Sequence, residues 1–339
     1  MSLFYAGFDL GARSSWLCVV DSAGQKRLSC KVPNDPGQIV SLVRRYGSGL
    51  QAVVESTFNW YWLVDLLQDE GVEVKLAHPL YLKAIAYAKV KTDQVDAHTL
   101  AQLLRLDYIP EAFIYPRELR PIRDLLRRRH RLVRWRSDLY RVLHLQLLQQ
   151  NVSTFGRNSI KELDGRQLRS LLRNPHDRQA GRAVLHLVAT LDQEITRLDE
   201  SVAASVFRKK PVVLLKTIPG IGKVLAATIY YEVGSIHRFA SDKAFASYCR
   251  LAPTIAQSGG VTRQGRNRKQ GNPLLKWAFS EAAQMAIQSC PAIRDGFQRL
   301  LKKKRKRILA KSIVAHKVAV AAFHVLRDEQ PYRPMALAA

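Results

Sequence analysis

The sequence predicts an α/β domain followed by an all-α region, and three observations lead to this prediction. Short apolar runs separated by turn residues fill the first third of the chain, first in succession and then in alternation with helical patterns. Long amphipathic patterns fill the middle third. The last third is a series of compact apolar helices separated by glycine-rich turns. At 339 residues, the chain is long enough for two or three domains.

The prediction of a mixed sheet depends on the order of the elements in the first third. The predicted strands are residues 4–10, 16–20, 26–32, 52–55 and 72–76. The predicted helices are residues 39–46, 59–69, 79–88 and a helix that Thr92 caps and that runs to about Asp107. Because three successive strands precede alternating helices and strands, a meander should join a partly parallel sheet.

The middle third is predicted to consist of long helices. The pattern over residues 116–152 carries a dense set of arginines: Arg127, Arg128, Arg129, Arg131, Arg134 and Arg136. A later pattern carries a heptad seam: Val184, Val188, Leu191, Ile195, Leu198 and Val202. Such a coiled-coil seam is equally typical of two antiparallel helices packed within one subunit and of a dimer interface. The sequence leaves both interpretations open.

The last third is predicted to be helical from Pro211 onward. The predicted helices are residues 224–232, 241–250, 273–289 and 291–327. Between the second and third of these, residues 256–273 are rich in glycine, arginine and lysine, and this composition predicts a loop.

The charge of the chain indicates an acidic partner. The net charge is +26, from 54 Lys and Arg residues against 28 Asp and Glu residues. Residues 1–110 carry 11 of each sign, so the remaining 43 basic and 17 acidic residues supply the whole excess. Nucleic acid is the commonest partner of so basic a protein, although a basic surface can also serve solubility alone. With no targeting pattern and no run of 18 apolar residues, we expect a cytoplasmic protein without membrane contact.

Four acidic residues are candidates for a metal site. Asp9 and Glu55 each end a predicted strand, and Asp93 and Asp96 share one face at the start of a predicted helix. Carboxylates that converge in this way suit Mg²⁺, and two such ions can stabilise both the attacking and the leaving oxygen of a phosphodiester. Singly, each acid is equally typical of a helix cap or an exposed side chain. His98 is interpreted as a helix-surface residue or a support for the acids, not as a ligand.

A glycine turn in the last third resembles the hairpin of a helix-hairpin-helix motif. Ile218-Pro-Gly220-Ile-Gly222-Lys223 precedes an apolar helix. Its glycines would let the backbone approach a phosphate, to which the helix start offers free N–H groups. The alternative is a turn between helices that contacts no nucleic acid.

The predicted loop contains one serine among small residues, Ser258. Four cations follow it, namely Arg263, Arg266, Arg268 and Lys269. A serine beside such cations can attack a phosphodiester, because they stabilise the developing negative charge. From the spacing alone, a phosphate-binding loop in which Ser258 only donates a hydrogen bond is the more ordinary interpretation.

Together these motifs resemble a known family over almost the whole chain. They are Phe8-Asp9-Leu-Gly, Val54-Glu55-Ser-Thr, Lys91-Thr-Asp93-Gln-Val-Asp96-Ala, Ile218-Pro-Gly-Ile-Gly, Tyr248-Cys-Arg-Leu-Ala-Pro253, Gln257-Ser-Gly-Gly and Gly265-Arg-Asn-Arg-Lys-Gln-Gly271. They are similar to the DEDD-type transposases of insertion-sequence family one-hundred-ten, which include recombinases guided by a bridge RNA.

The resemblance implies a fold, a set of site residues and several partners. It implies an RNase H/RuvC-like domain in which Asp9, Glu55, Asp93 and Asp96 bind Mg²⁺, and a C-terminal domain in which Ser258 links covalently to DNA. It also implies donor and target DNA, a guide RNA, and a dimer or tetramer in which the acids and the serine of different subunits act together. The middle helices would serve assembly and contact RNA.

Domain boundaries follow from the same reasoning, and two other functions stay open. The predicted domains are residues 1–110 (RuvC-like), 111–208 (helical coiled coil) and 209–332 (transposase domain with the serine), with 333–339 as a tail. One alternative is a RuvC-like nuclease or junction resolvase in which Ser258 is structural. The other is a basic nucleic-acid-binding protein without catalysis.

Overall fold

The computed structural model describes residues 3–85, 92–156, 158–252, 254–258, 261–265 and 270–334, with backbone alone at 204, 254–258 and 261–265. The chain divides into two compact units, Met1–Arg117 and Glu118–Ala339. The first unit ends close to the predicted boundary at residue 110. The predicted helical middle and C-terminal domain both lie in the second unit, and their separation into two domains stays a prediction.

The first unit is built on a five-stranded mixed sheet, as the sequence predicts. The strands are β1 (Phe4–Leu10), β2 (Ser14–Asp21), β3 (Lys26–Pro33), β4 (Leu50–Glu55) and β5 (Glu73–Ala77). Their order in the sheet is β3-β2-β1-β4-β5. β1, β2 and β3 form the antiparallel meander, and β4 and β5 continue the sheet parallel to β1. The sheet therefore has parallel strand ends at the place where Asp9 and Glu55 occur.

Four helices accompany this sheet. They are α1 (Pro36–Val43), α2 (Trp60–Asp69), α3 (Pro79–Ile85) and α4 (Asp93–Arg105). The predicted cap of α4 is confirmed, because the hydroxyl of Thr92 accepts a hydrogen bond from the backbone N–H of Val95. The helix predicted over residues 79–88 is confirmed up to Ile85, and its remainder lies outside the described residues.

The second unit begins with two long antiparallel helices. They are α5 (Arg120–Gln149) and α7 (Pro175–Val206), and the short α6 (Gly165–Leu171) lies between them in the chain. Arg129 of α5 is paired with Asp199 of α7, whereas Gln146, further along α5, bonds the backbone of Asp177, near the start of α7. The two helices therefore run in opposite directions.

The heptad seam of α7 is occupied within the chain. Val188, Ile195 and Val202 are at most 5% exposed, and α7 packs along α5. Of the two interpretations of this seam, the structure therefore has the antiparallel pair within one subunit.

The remaining helices form one apolar core. They are α8 (Lys210–Leu215), α9 (Lys223–Val233), α10 (Asp242–Tyr248), α11 (Pro273–Ser289), α12 (Pro291–Lys304) and α13 (Arg307–Asp328). The helical stretch predicted over residues 291–327 is confirmed but consists of two helices, because Arg305 adopts a left-handed backbone conformation, with φ of 54°, and separates α12 from α13. α13 is long and apolar enough to span a membrane by composition, but half of its apolar window is buried in this core.

A correction concerns the predicted loop over residues 256–273. The chain forms an antiparallel hairpin there, from β6 (Thr254–Ser258) and β7 (Val261–Gly265). β-Branched residues explain the difference, because Thr254 and Ile255 in β6 and Val261 and Thr262 in β7 favour extended backbone despite the surrounding glycines and cations. We call this element the serine hairpin.

Candidate functional site

Asp9 and Glu55 lie side by side at the end of the sheet. β1 and β4 are parallel neighbours, and Phe8 pairs with Val54, so the next residues of the two strands are level with one another. Side chains alternate between the faces of a sheet, which puts Asp9 and Glu55 on the face of Gly7 and Val53. That face is the one that α4 covers, since Val53 packs in a cluster with Leu100 and Leu104.

The orientation of α4 brings its two acids to the same end of the sheet. A Cβ atom on Gly7 would lie only 2.6 Å from the backbone nitrogen of Ala101, so α4 crosses β1 at this glycine. Further along α4, Gln102 donates a hydrogen bond of 2.8 Å to the carbonyl oxygen of Gly24, which lies beyond the opposite end of β1 and β2 from Asp9. The start of α4, with Asp93 and Asp96, therefore points toward the strand ends.

The four acids share one edge of the unit, but their side chains do not form a closed site. Asp93 is exposed, whereas Asp9, Glu55 and Asp96 are partly buried. Within the described part of the chain, no three or more His, Cys, Asp or Glu side chains are grouped closely enough to hold a metal ion. As a donor set, four carboxylates suit a hard cation such as Mg²⁺, which requires oxygen ligands.

His98 of α4 contacts the sheet. Its Nδ1 atom lies 3.5 Å from the thiol of Cys18 in β2. Burial, together with the charge of Lys26, lowers the pKa of His98, so the ring is neutral at physiological pH. His98 therefore lies where α4 packs on β2, and not on the solvent-facing surface of the helix.

Ser258 is the last residue of β6 in the serine hairpin. It pairs with Val261, the first residue of β7, and Arg263 lies two residues further along that strand. Arg266, Arg268 and Lys269, the other predicted phosphate-binding residues, lie outside the described residues. Ser258 belongs to the second unit, and the four acids belong to the first.

A buried ionic network that sequence reasoning missed includes Asn272, which follows the serine hairpin in the chain. Glu232, in α9, is 2% exposed. Its carboxylate accepts hydrogen bonds from Arg127 of α5, at 2.6 and 2.9 Å, and from the amide of Asn272, at 2.5 Å. Arg123 is also within 3.5 Å. One signal was available, since a glutamate within the apolar run of residues 224–233 requires a buried partner.

Asn272 connects this network to the end of the hairpin segment. Its side-chain oxygen caps α11 by accepting hydrogen bonds from Leu274 and Leu275, and its backbone N–H donates to the carbonyl of Tyr248. The neighbouring Gly271 has φ of 86° and contacts Tyr248 so closely that no side chain would fit. The two ends of the segment that carries Ser258 are thus held together at Tyr248 and Asn272.

The charges around Glu232 keep it ionised. Burial alone would raise the pKa of Glu232, but the hydrogen bond from Arg127 and the positive charges of Arg123 and Arg127 outweigh burial and hold the pKa below its ordinary value. Glu232 is therefore ionised throughout the physiological pH range.

The glycine turn of the predicted helix-hairpin-helix motif is fixed by packing. Gly220 has φ of 85°, and a Cβ atom there would lie 2.6 Å from the backbone nitrogen of Ala286 in α11. The packing of Gly220 against α11 therefore explains why glycine is required at this position, without any contact to nucleic acid. Gly222 and Lys223, at the start of α9, are exposed.

Comparisons with known proteins find the same family along most of the chain. Residues 6–151 match the transposase family of the DEDD type named for IS110. Residues 212–298 match a second family, described as transposase of the IS116/IS110/IS902 family. Both descriptions name transposases, and the chain is a DNA transposase or recombinase. It belongs to the IS110/IS116/IS902 family of insertion-sequence transposases.

Individual relatives are similar over nearly their whole length. A probable family 20 transposase from Pseudomonas aeruginosa is 24% identical, and the similarity covers 98% of this chain and 100% of the relative. An uncharacterized 44.8 kDa protein of insertion element IS116, from Streptomyces clavuligerus, is 24% identical over 97% of this chain and 96% of its own. A pilin gene-inverting protein from Moraxella lacunata is 24% identical over 98% of each chain.

Proposed function

We propose that this transposase cuts and rejoins DNA with two separate sets of residues: a Mg²⁺-binding tetrad of Asp9, Glu55, Asp93 and Asp96, and the nucleophile Ser258. The observation that supports the tetrad best is the common position of all four acids at one edge of the first unit, on two adjacent parallel strand ends and one helix start. Strand ends and helix starts are positions that place ligands accurately, because they are fixed by the sheet register and by a cap.

The reaction at Ser258 would be a transfer of the phosphodiester from one oxygen to another. The serine oxygen forms a bond to phosphorus, the bond from phosphorus to a deoxyribose oxygen breaks, and that oxygen takes up a proton. The free hydroxyl of a second DNA strand then attacks the phosphoserine, which rejoins DNA and restores the serine. Each step conserves the number of phosphodiester bonds, so no external energy source is required.

A serine hydroxyl needs activation, and the serine hairpin has no acid or imidazole of its own. When bound, Mg²⁺ would stabilise the charge that develops on the phosphate oxygens. Arg263, Arg266, Arg268 and Lys269 would hold the scissile phosphate. Gly220, Gly222 and Lys223 would contact the DNA backbone nearby, where the exposed start of α9 offers N–H groups.

The remaining parts of the proposal concern partners. We propose a bridge RNA as guide, a homo-oligomer in which the tetrad and Ser258 of different subunits meet on DNA, and a cytoplasmic location. The basic second unit supports the nucleic-acid partners, since every excess positive charge lies after residue 110.

The experiment that tests this function is denaturing gel electrophoresis of the protein with labelled DNA, guide RNA and Mg²⁺. A protein–DNA band should form with the native chain and disappear with Ser258→Ala and with Asp93→Asn. Ser289→Ala is a matched control, because this exposed hydroxyl only donates to the carbonyl of Met285 in its own helix. The band should persist in that variant.

Two outcomes would contradict the proposal in different ways. A covalent band that survives Ser258→Ala would place the nucleophile elsewhere. Cleavage without any covalent band, still lost with Asp93→Asn, would favour the resolvase-like alternative, in which only the carboxylates act. Binding without cleavage under all conditions would favour the non-catalytic alternative.

A further inference from the structure

A basic cleft lined with aromatic rings lies within the second unit, beside the Glu232 network and apart from the residues of the proposed function. It has a volume of about 780 Å³ and lies between α5 and the start of α11. Its principal lining residues are Arg127, His130, Arg131, Arg134, Trp135 and Trp277. The volume is within the roughly 300–1,000 Å³ typical of pockets that hold small organic ligands.

The rings of the cleft are suited to a planar aromatic group. Trp135 is 51% exposed, an unusual position for so large an apolar side chain. On the other side, Trp277 stacks at a tilt on His130, with ring centroids 4.2 Å apart. An aromatic ligand in this cleft would cover indole surface that is otherwise in water.

His130 is the third ring that lines this cleft. Its Nδ1 atom is buried and has no hydrogen-bond partner in the described part of the chain. Burial, followed by the charges of Arg134 and Arg129, lowers the pKa of His130. The ring is therefore neutral at physiological pH and adds no charge to the cleft.

The charge of the cleft selects an anionic ligand. Arg131 and Arg134 are exposed and form no ion pair with any side chain that the structure describes. The one acidic residue of the lining, Asp138, is already paired with Arg141. Two uncompensated guanidinium groups beside an exposed indole match a phosphate next to an aromatic base.

The position of the cleft relates it to the serine hairpin. Asn272, Pro273 and Leu274 also line it, and they directly follow the segment that carries Ser258. We propose that this cleft binds one unpaired nucleotide of the DNA strand that is exchanged, with the base on Trp135 and Trp277 and the flanking phosphates on Arg131 and Arg134. The inference rests on the proposed function, because strand exchange is what exposes unpaired DNA near Ser258.

The test uses the full-length protein in EDTA, so that no cleavage occurs. The probe is a DNA duplex with one bulged 2-aminopurine, whose fluorescence is quenched when it stacks on an indole. Stacking on an aromatic side chain contributes about 1–3 kcal/mol per base, so Trp135→Ala should weaken binding of the bulged duplex about 5- to 150-fold and abolish the quenching. Trp135→Phe should retain most of the affinity.

Arg131→Gln and Arg128→Gln form a matched pair. Both remove one exposed arginine of α5, but only Arg131 lines the cleft. The proposal requires a larger loss for Arg131→Gln with the bulged duplex and an equal, small loss for both with a fully paired duplex. Circular dichroism and thermal unfolding of each variant test for a folding defect, and the exposed Trp135 should be replaceable without one.

Three outcomes would overturn the proposal: equal affinity of Trp135→Ala and the native chain for the bulged duplex, equal effects of Arg131→Gln and Arg128→Gln on it, or quenching by a bulged RNA duplex but not by DNA. Ser258→Ala separates this inference from the proposed function. It should bind and quench the bulged duplex normally, whether or not Ser258 proves to be the nucleophile.

Discussion

Gly7 has no room for a side chain, because α4 lies directly on it. In Gly7→Ala, the new methyl group would overlap the carbonyl of Ala97 and push α4, and with it Asp93 and Asp96, away from the strand ends. We expect a loss of about 1–3 kcal/mol in the free energy of unfolding, measured with urea, together with reduced DNA cleavage. Gly165→Ala is the control, since a Cβ atom there meets nothing within 4 Å. Equal stability of the two variants would contradict this packing.

The buried carboxylate of Glu232 leads to a second prediction about a single residue, on how the stability of the protein depends on pH. Its folded pKa is below the ordinary value of about 4.3, so its ionic contribution is fully present above that pH and is lost as the pH falls through the folded pKa. Glu232→Gln should therefore destabilise the protein by about 3 kcal/mol at pH 7 and by progressively less below about pH 4. Urea unfolding of both proteins across this range measures the difference. A difference that is constant with pH would mean that the carboxylate carries no charge-dependent stabilisation.

At the scale of elements, the pairing of α5 with α7 predicts which seam residues matter. Ile195 is 5% exposed, whereas Leu187 on the same helix is 51% exposed. Ile195→Ala should cost about 2–5 kcal/mol because it leaves a cavity between the two helices, and Leu187→Ala should cost less than about 0.5 kcal/mol. Thermal unfolding of the two variants checks this. If Leu187→Ala proved the more harmful, α7 would have its apolar face turned away from α5.

The elements that sequence analysis located correctly are those with strong local signals. The strands of the first unit alternate with clear turn residues, and Thr92 caps α4 as predicted. The serine hairpin was missed because its glycines and cations indicate a loop. The two β-branched pairs that favour strands, which begin at Thr254 and Val261, are a weaker signal. The break at Arg305 was missed because a non-glycine residue in a left-handed conformation leaves no mark in the sequence.

The candidate site shows the same division between local and long-range information. The placement of Asp9 and Glu55 on strand ends could be predicted, because strand boundaries are local. The pairing of Arg127 with Glu232 spans 105 positions, and the cleft between Trp135 and Trp277 depends on how α5 packs against α11. Neither the periodicity nor the composition of one segment contains such contacts, which tertiary packing alone creates.

At the scale of the whole molecule, the two units differ in charge, and this difference predicts how the protein binds nucleic acid. The charge of the first unit is nearly balanced, so no excess of positive charge competes with a metal ion for its carboxylates. The second unit carries the excess, including six consecutive basic residues at 302–307, all exposed at the junction of α12 and α13. Under the proposed function, the metal-binding carboxylates and most of the affinity for nucleic acid thus belong to different units.

The last prediction follows from this separation. Binding of duplex DNA should weaken by roughly three decades between 50 and 200 mM salt if about six phosphates are neutralised, since each contributes about −0.9 to the slope of log affinity against log salt. Replacing Lys302, Lys303 and Lys304 by Gln should make that slope less negative by about 2 to 3. The matched control replaces Lys26, Lys31 and Arg45, which are exposed cations of the first unit, and should leave the slope unchanged. Fluorescence anisotropy titrations at several salt concentrations measure both. A larger change in the control than in the lysine variant would assign nucleic-acid binding to the first unit and refute the separation.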